Sequence, residues 1–142
     1  MEVRAARDEA ELRAALRLRH AVFVDEQGVD PAQEWDGRDG EATHLVAIDA
    51  AGTVVGTCRL LARGTVAKLG RLAVTVSARR QGLGTALLRA GEVWAREVGC
   101  TRIVLHAQTY ARALYAAAGY EAVGETFMEA EIEHVRMERD LA

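Results

Sequence analysis

The stretch that most constrains this 142-residue chain is Leu72-Ala73-Val74-Thr75-Val76-Ser77-Ala78-Arg79-Arg80-Gln81-Gly82-Leu83-Gly84-Thr85. It begins apolar and β-favouring, bends through a short polar segment, and after Gly82 and Gly84 continues with Leu83, Leu87, Ala90 and Trp94 at helical spacing. It reads as a strand, a tight basic turn and a helix start. The first N–H groups of a helix lack intrahelical partners, and the aligned peptide dipoles leave roughly half a positive charge there. Glycines at 82 and 84 remove the Cβ atoms that would hold a ligand away from those amides, and Arg79 and Arg80 add permanent positive charge. The turn is expected to hold a phosphate or diphosphate.

Several phosphate-binding patterns compete for it. A dinucleotide fingerprint needs a third glycine at position 87, where this chain has Leu87, and a P-loop needs Gly-Lys-Ser/Thr, which is absent. What remains is Arg79-x-x-Gly82-x-Gly84, set against the plainer reading of a glycine turn with solvated arginines.

The length suits a single domain over 1–142, and the net charge of −3 argues against a nucleic-acid binder. No signal peptide and no run long and apolar enough to span a membrane is evident, so the expected partners exclude nucleic acid and membrane. Cys58 and Cys100 show no C-x-x-C spacing and no His/Cys pattern suited to zinc. They read as small buried hydrophobes in a reducing cytoplasm, with no metal expected and a bridge between them left open.

In chain order, Glu2 to Ala6 suits an edge strand, and Asp8 with Glu11 suits a helix cap opening a helix over 9 to about 24. Gly28, Pro31 and Glu34-Trp35-Asp36-Gly37-Arg38-Asp39 predict a loop over 27–42. His44 to Asp49 and Val54 to Leu61 form a hairpin around Ala51-Gly52, and Val66 to Val74 completes an antiparallel meander. A helix runs from Leu83 to about Val98 and stops at Gly99. Thr101 to His106 is a buried strand, with a short helix over Thr109 to Ala118 and further strands at Tyr120 to Val123 and Phe127 to Glu138. This order, β-α-β-β-β-α-β-α-β-β, predicts α+β with one mixed, mostly antiparallel twisted sheet, and a parallel pairing between the strands near 72 and 103.

Arg79-x-x-Gly82-x-Gly84 resembles the pyrophosphate loop of the GNAT family of acetyl-CoA-dependent N-acetyltransferases, and the element order is similar to that fold over the whole chain. Gln108-x-x-Ala111-x-x-Leu114-Tyr115-x-x-x-Gly119-Tyr120 resembles a second pattern of that family, with Gln108 where an asparagine is usual. Val22-Phe23-Val24-x-Glu26-Gln27, Glu34-x-Asp36-x-x-Asp39, His44, Val55-Gly56-Thr57-x-Arg59-Leu60, Gly70-Arg71-Leu72-Ala73-Val74 and Glu129-x-x-Ile132-x-His134-x-x-Met137 look like its ElaA/YjcF-type branch. The tail departs from the Gly-Ile-Pro-His of that branch by having Glu131 and Glu133 beside Ile132.

The resemblance implies that the backbone of Leu72, Ala73 and Val74 pairs with the pantetheine arm of acetyl-CoA, with one amide on the thioester oxygen. It implies that Arg79, Arg80, Gln81, Gly82, Leu83, Gly84 and Thr85 hold the diphosphate and that Gln108 bonds to the pantetheine amides. Tyr115 falls on the family's tyrosine and would protonate the departing thiolate, whose conjugate acid has a pKa near 8.5 against about 10 for a phenol. The attacking amine is protonated at pH 7, so a base is needed; His134 leads, with Glu129, Glu34 and His44 as alternatives. Phe23, Glu26, Glu34, His44 and Arg71 fall on the acceptor side. The acidic loop of Glu34, Asp36 and Asp39 would attract a cationic amine or be a solvated face, while Arg59 and Arg71 would take an acidic group or pair with nearby carboxylates.

The expected activity is acetyl transfer to a primary amine, on a small molecule or a peptide, by direct attack in a ternary complex. The other readings are an acyl-CoA-sensing module without turnover and a nucleotide-binding domain using the same turn. Exposed sheet edges would support a homodimer.

Overall fold

The computed structural model, which describes all 142 residues, has strands β1 (Glu2–Ala5), β2 (Thr43–Ile48), β3 (Val54–Arg63), β4 (Val66–Val74), β5 (Arg102–Gln108), β6 (Glu121–Glu129) and β7 (Ile132–Asp140). Helices α1 (Glu9–Arg19), α2 (Pro31–Glu34), α3 (Leu83–Glu97) and α4 (Arg112–Ala117) join them. The strands form one seven-stranded sheet in the order β1-β2-β3-β4-β5-β7-β6. Only β4 and β5 run parallel, because α3 crosses between them. The class is mixed α+β, with the element order read from the sequence apart from the added short helix α2.

Both faces of the sheet are covered. On one, Leu83, Leu87, Leu88 and Ala95 of α3 join Leu45, Leu60, Leu69, Ile103 and Leu105 in the main core. On the other, Ala15 of α1 packs on Val46 and Ile48, and Leu18 and Val22 pack on Ala73. Helix α3 lies close to β3 and β4 at Gly91, where a Cβ would stand 2.9 Å from Leu69 Cδ1. Buried Glu92 fixes its far side by accepting from the Tyr120 hydroxyl at 2.8 Å and from Arg139.

The Asp8 cap forms as expected, its carboxylate accepting from Glu11 N at 2.9 Å. The first helical run ends close to the expected 24, at Glu26, but from His20 it is wound as a π-helical segment, closed by Gln27 N on Val22 O at 3.1 Å. The expected loop over 27–42 holds α2, capped by Asp30 with Pro31 in its first turn, and a 3-10 turn at Asp39–Glu41.

The parallel pairing expected between the strands near 72 and 103 is present, between β4 and β5; its register is Val66↔Arg102, Ala67↔Ile103 and Lys68↔Val104, and it ends there. One further expectation is corrected. The tail strands are one hairpin, since β6 runs through 123–127 with an irregularity at Gly124 (φ 81°), while the strand expected over 127–138 is broken by a turn. Glu129 pairs with Ile132, so the turn consists of Ala130 (φ 53°) and Glu131 (φ 63°).

A two-residue turn with both φ positive favours Asn-Gly, and each L-residue forced into that region costs roughly 1 kcal/mol. Replacing Ala130 by Asn together with Glu131 by Gly is therefore expected to raise unfolding stability by about 1–2 kcal/mol, read as a higher denaturant midpoint. An unchanged or lower midpoint would show that the turn carries no such strain.

Candidate active site

Beyond Lys68 the strands β4 and β5 part. β4 stays paired with β3 as far as Gly56↔Val74, and β5 stays paired with β7 as far as Gln108↔His134, so the two lips face each other without ladder bonds. A bulge helps to turn β4 away: Thr57 pairs with Ala73 but Arg59 with Gly70, leaving Arg71 and Leu72 opposite Cys58. Arg71 takes the left-handed conformation there, at φ 54°. The extra residue also exchanges the faces of β4. Ala67 and Leu69 point to the α3 side, whereas after the bulge it is Leu72 and Val74 that pack there and Ala73 that meets α1.

A cavity of about 600 Å³ follows this opening. Its walls include Leu72, Val74, Gly84, Leu114 and Tyr115 from the α3 side, and Phe23, Arg59, Lys68, His106 and His134 from the α1 side. Residues of both faces share one space, so the cavity passes through the sheet where the strands diverge.

At the α3 mouth, the chain turns through Arg80 (φ 64°) and Gly82 (φ 78°) into the helix, whose N-cap Gly82 has no side chain to cap it. The first residue of α3 bonded in the helical sense is Ala86, to Gly82 O at 3.0 Å, which leaves the amides of Leu83, Gly84 and Thr85 without a protein acceptor. Arg79 and Gly84 line the cavity. Arg79 donates to Val74 O at 2.9 Å and grips Glu26 with two bonds of 2.7 and 2.9 Å. That pairing holds the Glu26 carboxyl below its usual range. Glu26 thus stands beside the turn, at the end of the π-helical segment, rather than on the cavity wall. Its neighbour Gln27 accepts from Gln108 Nε2 at 2.9 Å and donates to the Tyr110 hydroxyl at 3.3 Å. Consecutive residues of one segment therefore engage both Arg79 and Gln108.

Tyr115 lies on α4, only 8% exposed, with Tyr120 edge-on at a ring separation of 6.3 Å. Burial pushes its phenol up to about 12. On the α1 side, His134 Nδ1 is 2.7 Å from Ile132 O. A carbonyl only accepts, so Nδ1 carries the hydrogen, and in the neutral ring the lone pair is on Nε2. Glu129 Oε2 is 3.7 Å from that Nε2, and Glu129 Oε1 is 3.2 Å from His106 Nδ1. Phe127 stacks on His134 at 6.0 Å and meets His106 edge-on at 5.0 Å.

The acidic loop is not a free anionic face. Arg19, 1% exposed, bonds Glu34 Oε1 at 2.8 Å and Asp39 Oδ1 at 2.7 Å. Arg59 holds both oxygens of Asp36 at 2.8 Å and also reaches Asp39 at 3.2 Å. Arg71 donates to Glu34 O at 3.0 and 3.2 Å and lies 3.4 Å from Asp36 Oδ2. Three arginines thus offset three carboxylates across α1, β3, β4 and the loop. Hydrogen bonds from Arg59 hold Asp36 far below the usual carboxylate range; burial lifts Asp39, and Arg19 and Arg59 more than reverse that. Glu34, Arg71 and Phe23 line the cavity, whereas His44 sits buried below the loop with Nε2 on Asp39 O at 2.9 Å. Cys58 and Cys100 are free and buried, and burial pushes the Cys58 thiol up to about 12.

Arg19 and His106 escaped the sequence reading. Arg19 sits on a helix rich in arginine, and nothing local marks it. His106 is the one with a signal, since it alternates with Gln108 on the same face of β5.

Comparisons with known proteins agree on one family. The family model described as an acetyltransferase (GNAT) domain matches residues 6–141. The uncharacterized N-acetyltransferase YjcF of Bacillus subtilis is 35% identical over 136 residues, covering 95% of this chain and 96% of the relative. Among solved structures, an acyl-CoA N-acyltransferase from Pseudomonas aeruginosa is 34% identical with a TM-score of 0.84, covering 98% and 99% of the two chains. Escherichia coli ElaA is 26% identical with a TM-score of 0.85 and the same coverage.

Removing Arg19 would leave Glu34 and Asp39 buried without their main cation. Arg19→Leu is expected to cost about 3–5 kcal/mol of unfolding free energy, measured by denaturant titration. Because Asp36 and Asp39 are depressed in the folded state, the network stabilises fully above the unfolded aspartate value near 3.9 and loses that contribution as pH falls below it. The acid limb of the stability profile is expected to flatten in Arg19→Leu; an identical limb would place the acid sensitivity elsewhere.

Proposed function

The chain belongs to the GNAT acetyltransferase family, in its ElaA/YjcF-like branch, and from that premise we propose that it transfers acetyl from acetyl-CoA to a primary amine by direct attack in a ternary complex. The observation that carries this reading is the single cavity through the parted sheet. It joins a mouth suited to a thioester that carries a diphosphate to a chamber holding a histidine whose Nε2 makes no hydrogen bond.

Acetyl-CoA enters from the α3 side. Its diphosphate lies on the open amides of the Arg79–Thr85 turn, where the helix dipole and Arg79 meet negative charge. The pantetheine arm runs along the unpaired lip of Leu72, Ala73 and Val74, as an added strand would, and exchanges amide bonds with Gln108. The thioester then reaches the point where the cavity crosses the sheet.

The ammonium of the acceptor gives a proton to His134 Nε2, with Glu129 beside it to favour the imidazolium that forms. The neutral amine attacks the thioester carbon, and a freed β4 amide meets the oxyanion. The tetrahedral nitrogen gives its second proton to solvent, and the carbon–sulfur bond breaks as the Tyr115 hydroxyl donates a hydrogen bond to the leaving sulfur. A phenol near 12 lies about 3.5 pK units above the CoA thiol, so full ionisation of Tyr115 would cost roughly 5 kcal/mol. It acts as a hydrogen-bond donor to the thiolate, which takes its proton finally from solvent. The buried Cys58, with its raised thiol, has no part in the transfer.

Two predictions test this reading. Thiol release on mixing protein, acetyl-CoA and an amine panel is expected; Tyr115→Phe lowers kcat by roughly tenfold to a hundredfold, and His134→Gln lowers it by a similar factor mainly below pH 9. Binding of CoA without turnover on any amine would favour the sensing module instead. Glu26 competes with the diphosphate for Arg79, so Glu26→Ala is expected to tighten CoA binding by roughly threefold to fivefold in calorimetry. Weaker binding in that variant would mean that Glu26 orients Arg79 for the ligand.

A further inference from the structure

We propose that Lys68 selects acceptors that carry a carboxylate a few bonds from the reacting amine. The inference rests on the transferase reading and adds the chemical class of its second substrate.

The cations around the acceptor chamber divide sharply by their partners. Arg59 is tied to Asp36 and Asp39, Arg71 to the Glu34 carbonyl and Asp36, and Arg38 to Glu41 at 3.1 Å. Arg59 and Arg71, which the sequence offered for an acidic group, thus already hold partners, although burial and the nearby Arg59 charge lower the Arg71 pKa as well. Lys68, the only lysine in the chain, lines the same cavity and makes no hydrogen bond and no ion pair. Glu129 attracts it from beyond ion-pair range and is itself engaged with His106 at 3.2 Å. Burial, reinforced by the charges of Arg38, Arg59 and Arg71, lowers the Lys68 pKa, which is the mark of an ammonium short of counter-charge. An anion entering the chamber would supply it.

Position gives the spacing. Lys68 precedes the bulge and projects to the α1 side with Arg59, where the acceptor enters, and not to the α3 side with Leu72. Lys68 pairs with Leu61 and Leu72 lies opposite Cys58, three residues along β3, so the bulge leaves the two about 10 Å apart along the sheet. That distance leaves room for a short acceptor between the lysine and the acetyl carbon. His134 and Glu129 on the neighbouring hairpin receive the amine end, and Lys68 receives the acid end. An amino acid or a short aminocarboxylate matches both; a simple alkylamine matches one.

The test is steady-state kinetics with acetyl-CoA and matched acceptors: a series of amino acids of increasing amine-to-carboxylate distance, the methyl ester of each, and the alkylamine of equal length. Wild-type protein is expected to favour the free carboxylate by roughly tenfold or more in kcat/KM. Lys68→Met is expected to abolish that preference through KM, Lys68→Arg to keep part of it, and Lys68→Glu to turn it toward diamines. Thermal melting of each variant separates misfolding from altered choice, and calorimetry of the N-acetyl amino acid with CoA repeats the comparison without turnover. Equal use of acid, ester and alkylamine by wild-type protein, or a preference that survives Lys68→Met, overturns the proposal while leaving the transferase intact. Absence of transfer to every amine despite CoA binding removes the transferase reading, and this inference with it.

Discussion

The structure depends on the early end of the ladder between β4 and β5. A parallel pair buried in the middle of a sheet ordinarily continues for the length of its strands, since every unpaired N–H or C=O must find another partner. Here the pairing stops after Val66, Ala67 and Lys68, while each strand keeps its outer neighbour. The left-handed Arg71 and the bulge it creates bend β4 at the place where the gap opens. The result is two strand edges in the interior of a sheet, available to an extended ligand and reached from both faces.

The same bulge explains how one strand serves both sides. Before it, Lys68 faces the α1 side and Leu69 the main core; after it, Leu72 and Val74 face the core and Ala73 meets α1. Around that reversal the charges are arranged so that the loop over the chamber is held by Arg19, Arg59 and Arg71, with its carboxylates neutralised in place. Loop carboxylates and arginines that look like ligands in the sequence thus serve to build the wall. His134 Nε2, the uncapped amides of α3 and Lys68 are groups that the protein leaves without a hydrogen-bond partner.

Local signals in the sequence translated well into structure. The Asp8 cap, the Ala51-Gly52 hairpin, the start of α3 after Gly82 and its end before Gly99 each rest on a few adjacent residues, and each is present. The turn at Ala130-Glu131 was not legible, because neither residue is one that favours positive φ. The π-helical widening at His20–Glu26 has no local mark either. Of the candidate site residues, Arg79, Gly84, Gln108, Tyr115 and His134 were named from type and order and line one cavity, yet the attachment of Glu26 to Arg79 and of Gln27 to Gln108 joins positions far apart in the chain.

By itself the sequence determined the kinds and order of elements, the mixed sheet, and the phosphate-suited turn, because capping, periodicity and glycine placement act within a few residues. The tertiary structure alone decided the register at Val66↔Arg102, and with it the length of the gap, since pairing between segments separated by a whole helix is set by how α3 packs and where β4 bulges. It also decided which charges remain free: whether an arginine or a lysine meets a carboxylate depends on distances of 3 to 4 Å between different elements, which composition and spacing do not contain.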